Sequence, residues 1–392
     1  MNKPLNTTNT DTTAALKVGF VFDDSLDSSD GVAQYVKVVG AWLTAGGHEV
    51  RYLVGQTKLE EWRGGKVYSL AYNLRVRWGG NRLSMPLTSS RRQIKRILVA
   101  EKFDVLHIQV PYSPLMAQLV IRAAGPQTAV VGTFHILPAS RLAAAGTRLL
   151  RLFYGKNLKR FNLMFGVTTA AAKFARSALG VAVQVLPNVV ELKRFQAASA
   201  KTQPDKDRIV FLGRLVPRKG AMELLKAFRL LHQDYPEARL TIAGDGPLRP
   251  KLEQFVKAEH LSQSVEFLGI IKESEKPTLL ASAAIACFPS LYGESFGIVL
   301  IEAMAAGAGV VVGGDNPGYR SLLGAQPQLL IDPKDSQGLA DRLELLLSDQ
   351  FLAKRLHAWQ TEFVKDFDIE VVGPQVVAAY RRAIAKKAQT RA

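Results

Sequence analysis

Residues 284–314 read AIACFPSLYGESFGIVLIEAMAAGAGVVVGG. An apolar run, AIACFPS, leads into a turn bracketed by Gly293 and Gly297. Helix-forming residues then run to a stop at Gly307, and a second apolar run occupies 310–312. Strand, glycine turn, helix and strand in close succession form a βαβ unit, and a series of such units builds a parallel sheet covered by helices. The stretch 297–314 is also the longest apolar candidate for a membrane span, but Glu302 lies inside it. A carboxylate near the centre of a span costs about 2.5–3.5 kcal/mol, so a short helix followed by a buried strand is the better reading.

Working outward, the same alternation recurs. KVGFVF (17–22) reads as the first strand, followed by the loop DDSLDSSDG and a helix over 32–47 with apolar residues at helical spacing. HEVRYLVG, VLHIQV (105–110), AVVGTF (129–134), LMFGVTT (163–169) and VQVLPN (183–188) continue the strands. A polar stretch, AASAKTQPDKD (197–207), has the composition of a linker. The pattern then restarts with RIVFLGR (208–214), a helix from about 220 to 234, RLTIAGDGP (239–247) and VEFLG. The expected fold class is α/β, with two Rossmann-like parallel-sheet domains facing a cleft. The last segment, 339–387, is helical by periodicity, and its end is expected to cross back onto the N-terminal domain.

At about 150 residues per domain a chain of 392 residues suggests two domains or three, and 47% apolar, 22% charged and 8% aromatic residues are ordinary for a soluble globular protein. Only residues 1–14 read as disordered, and they lack the basic and apolar regions of a secretory signal. The single cysteine, Cys287, lies in an apolar strand and reads as a small buried hydrophobe, so no intrachain disulfide is possible.

The formal net charge of +17 is unevenly spread. Residues 1–200 hold 26 Lys and Arg against 11 Asp and Glu, and residues 201–392 hold 25 against 23. Within the basic half, SSRRQIKRILV (89–99) projects as a helix with Arg91, Arg92, Lys95 and Arg96 on an arc of about 140° and Ile94, Ile97 and Leu98 opposite. Such a helix suits an anionic membrane surface. It is equally the ordinary form of a surface helix whose apolar stripe faces a sheet.

FLGRLVPRKG (211–220) is a strand running into a loop that presents Arg214, Arg218 and Lys219. An Arg fork beside a Lys point charge is suited to a diphosphate, although a solvated loop would look the same in isolation. Glu294 and Glu302 stand eight positions apart at the start of a helix whose free N–H groups would face an anion. One reading makes them a helix-start charge and a solvated face. The other makes them acceptors for the hydroxyls of a nucleotide sugar.

Together, GRLVPRKG, PSLYGESFGIVLIEAMAAG, the glycine loop after the first strand and TFH (133–135) resemble the retaining glycosyltransferases of family 4, over about residues 17–380. That resemblance implies the GT-B fold. It implies an N-terminal acceptor-side domain over 15–196, a linker over 197–207, a nucleotide-sugar domain over 208–370 and a returning helix over 371–392. By the same resemblance, Arg214 and Lys219 neutralise the donor diphosphate, and Gly31 lets the backbone approach it. Glu294 lies near the transferred sugar with backbone N–H groups of Ser295, Phe296, Gly297, Ile298 and Val299. Glu302 holds the ribose, His135 sits beside the reacting sugar, and Gly244, Asp245 and Asn188 line the cleft and base pocket.

The only Asp-x-Asp spacings are Asp205 with Asp207 and Asp366 with Asp368, neither directly after a nucleotide-binding strand. The expected chemistry therefore uses no metal and no cofactor beyond the nucleotide-sugar substrate. The helix segment most resembles that of phosphatidylinositol mannosyltransferases, which use GDP-mannose. Where those enzymes hold inositol phosphate with Tyr, Gln, Thr and Lys, this chain has Asp24, Ala33, Ile136 and Ser140. Gln34 and Arg141 stand one position along from two of these. The leading expectation is a cytoplasmic enzyme, peripheral on the inner face of the plasma membrane, moving mannose from GDP-mannose to a lipid or polyol with retention. A UDP-glucose-dependent lipid glycosyltransferase, a soluble-acceptor enzyme, a sugar-nucleotide epimerase and a non-enzymatic anion-binding module are the alternatives. The donor-site motifs argue against nucleic acid as the partner of the basic half.

Overall fold

The computed structural model describes residues 14–27, 30–78, 81–87, 89–109, 115–137, 146 and 155–390. The N-terminal half holds strands β1 (Lys17–Phe22), β2 (Glu49–Val54), β3 (Glu61–Trp62), β4 (Gly65–Ser69), β5 (Tyr72–Trp78), β6 (Asn81–Leu87), β7 (Val105–Gln109), β8 (Ala129–Phe134), β9 (Leu163–Gly166) and β10 (Gln184–Val185). The C-terminal half holds β11 (Asp205–Leu212), β12 (Arg239–Ala243), β13 (Val265–Gly269), β14 (Ala283–Phe288), β15 (Val310–Gly314) and β16 (Leu330–Ile331).

The first sheet runs β10-β9-β8-β7-β1-β2-β4-β3 and the second β13-β12-β11-β14-β15-β16. Every pair is parallel except β3 with β4. Parallel strands are covered by helices on both faces, so their sequences are continuously apolar rather than alternating. Hence β1, β8 and β14 match the apolar runs almost residue for residue, with Cys287 fully buried in β14. Strand order reverses between β1 and β7 in the first sheet and between β11 and β14 in the second. In open α/β sheets, the crevice outside the strand C-termini at such a reversal is where ligands bind.

The chain crosses between the sheets twice, side by side. Val190 N–H donates to the Phe367 carbonyl at 2.9 Å, and Ile369 N–H donates back to the Val190 carbonyl at 2.9 Å. The second crossing starts the helix Ile369–Gln389, whose Ile369, Val372, Val376, Ala379, Tyr380 and Ala383 join the core of the first sheet. A Cβ on Gly373 would lie 2.8 Å from the Trp42 ring, so glycine permits the close approach. The returning helix is thus present as expected.

Three details differ from the sequence reading. Residues 197–207 are not a free linker: the helix Leu192–Ser199 buries Leu192 and Phe195 in the second core, and β11 starts at Asp205. The strand expected over 183–188 is two residues long. The hairpin of β5 and β6 forms a separate two-stranded sheet, whose strands are not continuous apolar runs. Of the terminus read as disordered, residues 1–13 lie outside the described residues, as does Arg141.

Candidate active site

The cation loop leaves β11 at Leu212 and is tied to its neighbours by backbone. Leu215 N–H donates to the Asp245 carbonyl at 3.0 Å, and Gly213 N–H donates to Ala243 at 3.0 Å. Leu215 and Val216 are buried anchors, Pro217–Lys219 makes one 3-10 turn, and Gly220 closes it at φ +77°. A Cβ on Gly220 would fall 1.9 Å from the Pro289 carbonyl oxygen, so only glycine lets this loop lie against the one after β14. The loops are joined where Leu291 N–H donates to the Arg218 carbonyl at 2.9 Å.

That contact brings opposite charges together. Oε1 of Glu294 lies 2.7 Å from Nη1 of Arg218 and 2.8 Å from Nζ of Lys219. Burial alone would push the Glu294 carboxyl up, but Lys219 and Arg218 outweigh it and hold the carboxyl below the usual carboxylate range. Glu294 is therefore ionised and 9% exposed. Arg214 is exposed at the start of the loop. Arg218, which the family resemblance left without a role, is thus inside the cluster.

Glu294 precedes the helix Ile298–Ala306, whose N-cap Gly297 has φ +101°; just before the cap, Phe296 packs on Phe367 with ring centroids 5.6 Å apart. Ser295, Gly297, Ile298 and Val299 are partly exposed at this helix start, where unpaired N–H groups and the helix dipole favour an anion. Glu302 is not a solvated acceptor. Its Oε1 lies 2.9 Å from Nζ of Lys276, which lies 2.8 Å from Glu273. Burial pushes the Lys276 pKa down, but Glu302 and Glu273 outweigh that and leave it raised, so Lys276 keeps its proton. Gly244 and the exposed Asp245 lie beside the cation loop, where a Cβ on Gly244 would meet the Gly213 carbonyl at 1.9 Å.

The first sheet faces this cluster with His135, which follows β8 and is buried. Ser295 Oγ donates to the His135 carbonyl, and Thr168 Oγ1 donates to the Ser295 carbonyl at 2.8 Å. Gly31 opens the helix Gly31–Ala45, and a Cβ there would lie 3.0 Å from Ile298 Cδ1. Its neighbouring N–H groups on Val32 and Ala33 are capped by Asp30 at 2.9 and 3.0 Å. His135, Gly31, Ser295 and Ile298 are therefore brought together from both domains.

Two further residues are incompletely satisfied: Oδ1 of buried Asn188 and Nε2 of Gln34 are buried with no hydrogen-bond partner among the described residues. Gln34 also lines a cavity of about 80 Å³ with Lys37, Trp62, Arg63, Glu191, Arg194 and Glu273. A larger depression of about 400 Å³ lies by Arg208 and Ser282, at the opposite ends of β11 and β14 from the cluster. The basic helix is Arg91–Glu101, capped by Ser90, with Ile94 and Leu98 buried and Arg91, Arg92, Lys95 and Arg96 exposed. Among the described residues, no helix is long and apolar enough to cross a membrane.

Comparisons with known proteins agree with this architecture. A family model described as Glycosyltransferase Family 4 matches residues 29–194, and one described as Glycosyl transferases group 1 matches residues 193–362. The phosphatidyl-myo-inositol mannosyltransferase of Mycolicibacterium smegmatis is 32% identical over 378 residues, covering 93% of each chain. That of Mycobacterium tuberculosis H37Rv is 31% identical over 383 residues, covering 93% of this chain and 96% of its own. Among solved structures, Anabaena HepE with UDP and glucose superposes with a TM-score of 0.71 at 18% identity, covering 92% of this chain and 98% of that one. Sucrose-phosphate synthase of Thermosynechococcus elongatus gives 0.70 at 20% identity, covering 94% and 99%. The structural likenesses show the GT-B fold, and the sequence matches go further: the chain belongs to glycosyltransferase family 4 and is a glycosyltransferase.

Proposed function

We propose that the enzyme transfers mannose from GDP-mannose to a membrane lipid or polyol with retention at the anomeric carbon, without a metal. The observation that carries this reading is the buried Glu294 held by Arg218 and Lys219 at the strand-order reversal, next to Ser295, whose hydroxyl donates to the His135 carbonyl. Relatives named as phosphatidyl-myo-inositol mannosyltransferases support the sugar and the lipid class.

In this mechanism Arg214 and Lys219 meet the donor diphosphate together with the N–H groups from Ser295 to Val299. Electrostatic stabilisation of the leaving group by preorganised donors is the main contribution of the protein. The bond between the anomeric carbon and the phosphate oxygen breaks as the acceptor oxygen bonds to that carbon on the same face. The acceptor's proton passes to the departing diphosphate. Glu294 and His135 hold the sugar, and Glu302, Gly244 and Asp245 hold the nucleoside. Gln34, Arg141 and Asn188 serve the acceptor side. The exposed basic face of Arg91–Glu101 supports docking on anionic lipid at the inner face of the plasma membrane.

The test is turnover of GDP-mannose, UDP-glucose and UDP-GlcNAc with and without phosphatidylinositol vesicles. Mannose transfer to lipid from GDP-mannose is expected. Preferential turnover of a UDP-sugar would overturn the donor assignment, and transfer only to soluble polyols would overturn the lipid.

A further inference from the structure

His135 is held through one ring nitrogen. Its Nε2 lies 2.7 Å from Oε1 of Gln109, the fully buried last residue of β7. Gln109 pairs with Thr133 in the register of β7 and β8, two residues before His135, which places the amide beside the imidazole. The other end of the amide decides its orientation. Nε2 of Gln109 lies 3.5 Å from the His107 carbonyl oxygen. That hydrogen bond is long, but rotating the amide by half a turn would set two carbonyl oxygens against each other. With Oε1 facing the ring, the proton of the neutral imidazole resides on Nε2 and the lone pair on Nδ1. Among the described residues, Nδ1 has no hydrogen-bond partner.

The surroundings keep this ring neutral. Burial pushes the His135 pKa down to about 3. Among the described residues, the titratable groups placed beside it are Tyr35, at 5.3 Å between ring centroids, and His107 one strand away. Burial keeps the Tyr35 hydroxyl protonated, and burial followed by His135 pushes the His107 pKa down to about 3. His107 is itself fixed between Tyr380 at 2.8 Å and Thr133 at 2.7 Å.

We propose that Gln109 is the positioning residue that sets the tautomer of His135, so that the ring offers Nδ1 as an acceptor to a hydroxyl of the transferred sugar. This rests on the proposed role of His135 as a sugar contact. As positive charge develops at the anomeric carbon, the sugar hydroxyls become better donors. An acceptor nitrogen then binds the transition state more strongly than the ground state, which accelerates the step.

The tautomer is read from the imidazole nitrogen resonances of the protein labelled with 15N-histidine, the His135 signals being assigned by their loss in His135→Asn. A proton on Nε2 throughout the neutral pH range is expected. A proton on Nδ1 overturns the proposal whether or not any donor is turned over, whereas an inactive wild-type enzyme counts against the proposed function alone. Gln109→Leu is expected to lose the single tautomer and to lower kcat and kcat/KM together by roughly 10-fold or more. Gln109→Glu keeps the acceptor and retains the Nε2 proton. Its carboxylate stabilises the imidazolium, so its rate falls on the acid side where the wild-type rate does not. A folded Gln109→Leu with wild-type kcat would sink the proposal. If melting shows that variant to be unfolded, a Gln109→Glu pH profile superimposable on wild type does so instead.

Discussion

Glu294→Gln separates the two uses of the cation loop. In the wild-type protein one carboxylate oxygen takes hydrogen bonds from Arg218 at 2.7 Å and from Lys219 at 2.8 Å. Breaking a buried ion pair costs about 3–5 kcal/mol because the partner is left uncompensated. Here the Arg218 and Lys219 side chains keep 18% and 19% exposure, so they regain water once the acid is gone, and about 2–3 kcal/mol is expected. Urea unfolding at pH 7 measures it. The sign with pH follows from the lowered Glu294 pKa. A carboxyl whose folded pKa is depressed stabilises fully above its unfolded pKa of about 4.3, and loses that as pH falls through the folded value. The gap between wild type and variant should therefore close in acid. For function, losing a charged acceptor for a sugar hydroxyl costs about 1.5–3 kcal/mol, roughly 10- to 150-fold in transfer. Nucleoside diphosphate affinity moves the other way, because Lys219 no longer has a protein carboxylate competing with phosphate. Calorimetry with GDP and UDP should show equal or tighter binding in Glu294→Gln. Weakening of diphosphate binding by 10-fold or more, in step with transfer, would refute the reasoning and make Glu294 a scaffold for the cations.

Lys276→Met leaves Glu302 without its cation, with both side chains 10% exposed in the wild type, and should cost about 3–5 kcal/mol in urea unfolding. Adding Glu302→Leu should recover most of that loss, and a double variant no more stable than the single one would show that the pair is not the source. Gly220→Ala places a Cβ 1.9 Å from the Pro289 carbonyl at φ +77°, so a lower melting temperature and weaker diphosphate binding are expected together; unchanged affinity would free the loop from its proposed role. Replacing Arg92 and Arg96 by Glu should abolish low-salt sedimentation with phosphatidylserine vesicles, at about 1 kcal/mol for each Arg removed. Unchanged sedimentation would assign the lipid contact to another surface.

Much of the fold was legible because each signal is local. β1, β8 and β14 are continuous apolar runs because both faces are covered, and Gly220, Gly297 and Gly307 punctuate helices at left-handed φ. The hairpin of β5 and β6 carries a readable signal in YNLRVRWGGNRLSMPL, whose apolar residues alternate on either side of a Gly-Gly pair. Continuous apolar runs mark only strands covered on both faces, so an alternating hairpin gives none. The helix Leu192–Ser199 straddles the boundary expected between residues 196 and 197, since composition marks where a chain is polar and not which core its apolar residues join.

The sequence by itself determined two parallel-sheet domains, the returning helix, the cation loop and the pair of glutamates, all through patterns within a few turns of backbone. Tertiary structure alone decided the partners. Arg218 joins Lys219 on Glu294 from 76 residues away, Lys276 neutralises Glu302 across 26, and Gln109 reaches His135 across 26. Those pairings depend on strand order, register and the close approach of two loops at Gly220, and neither propensity nor spacing encodes distance between segments that meet only after the sheets assemble.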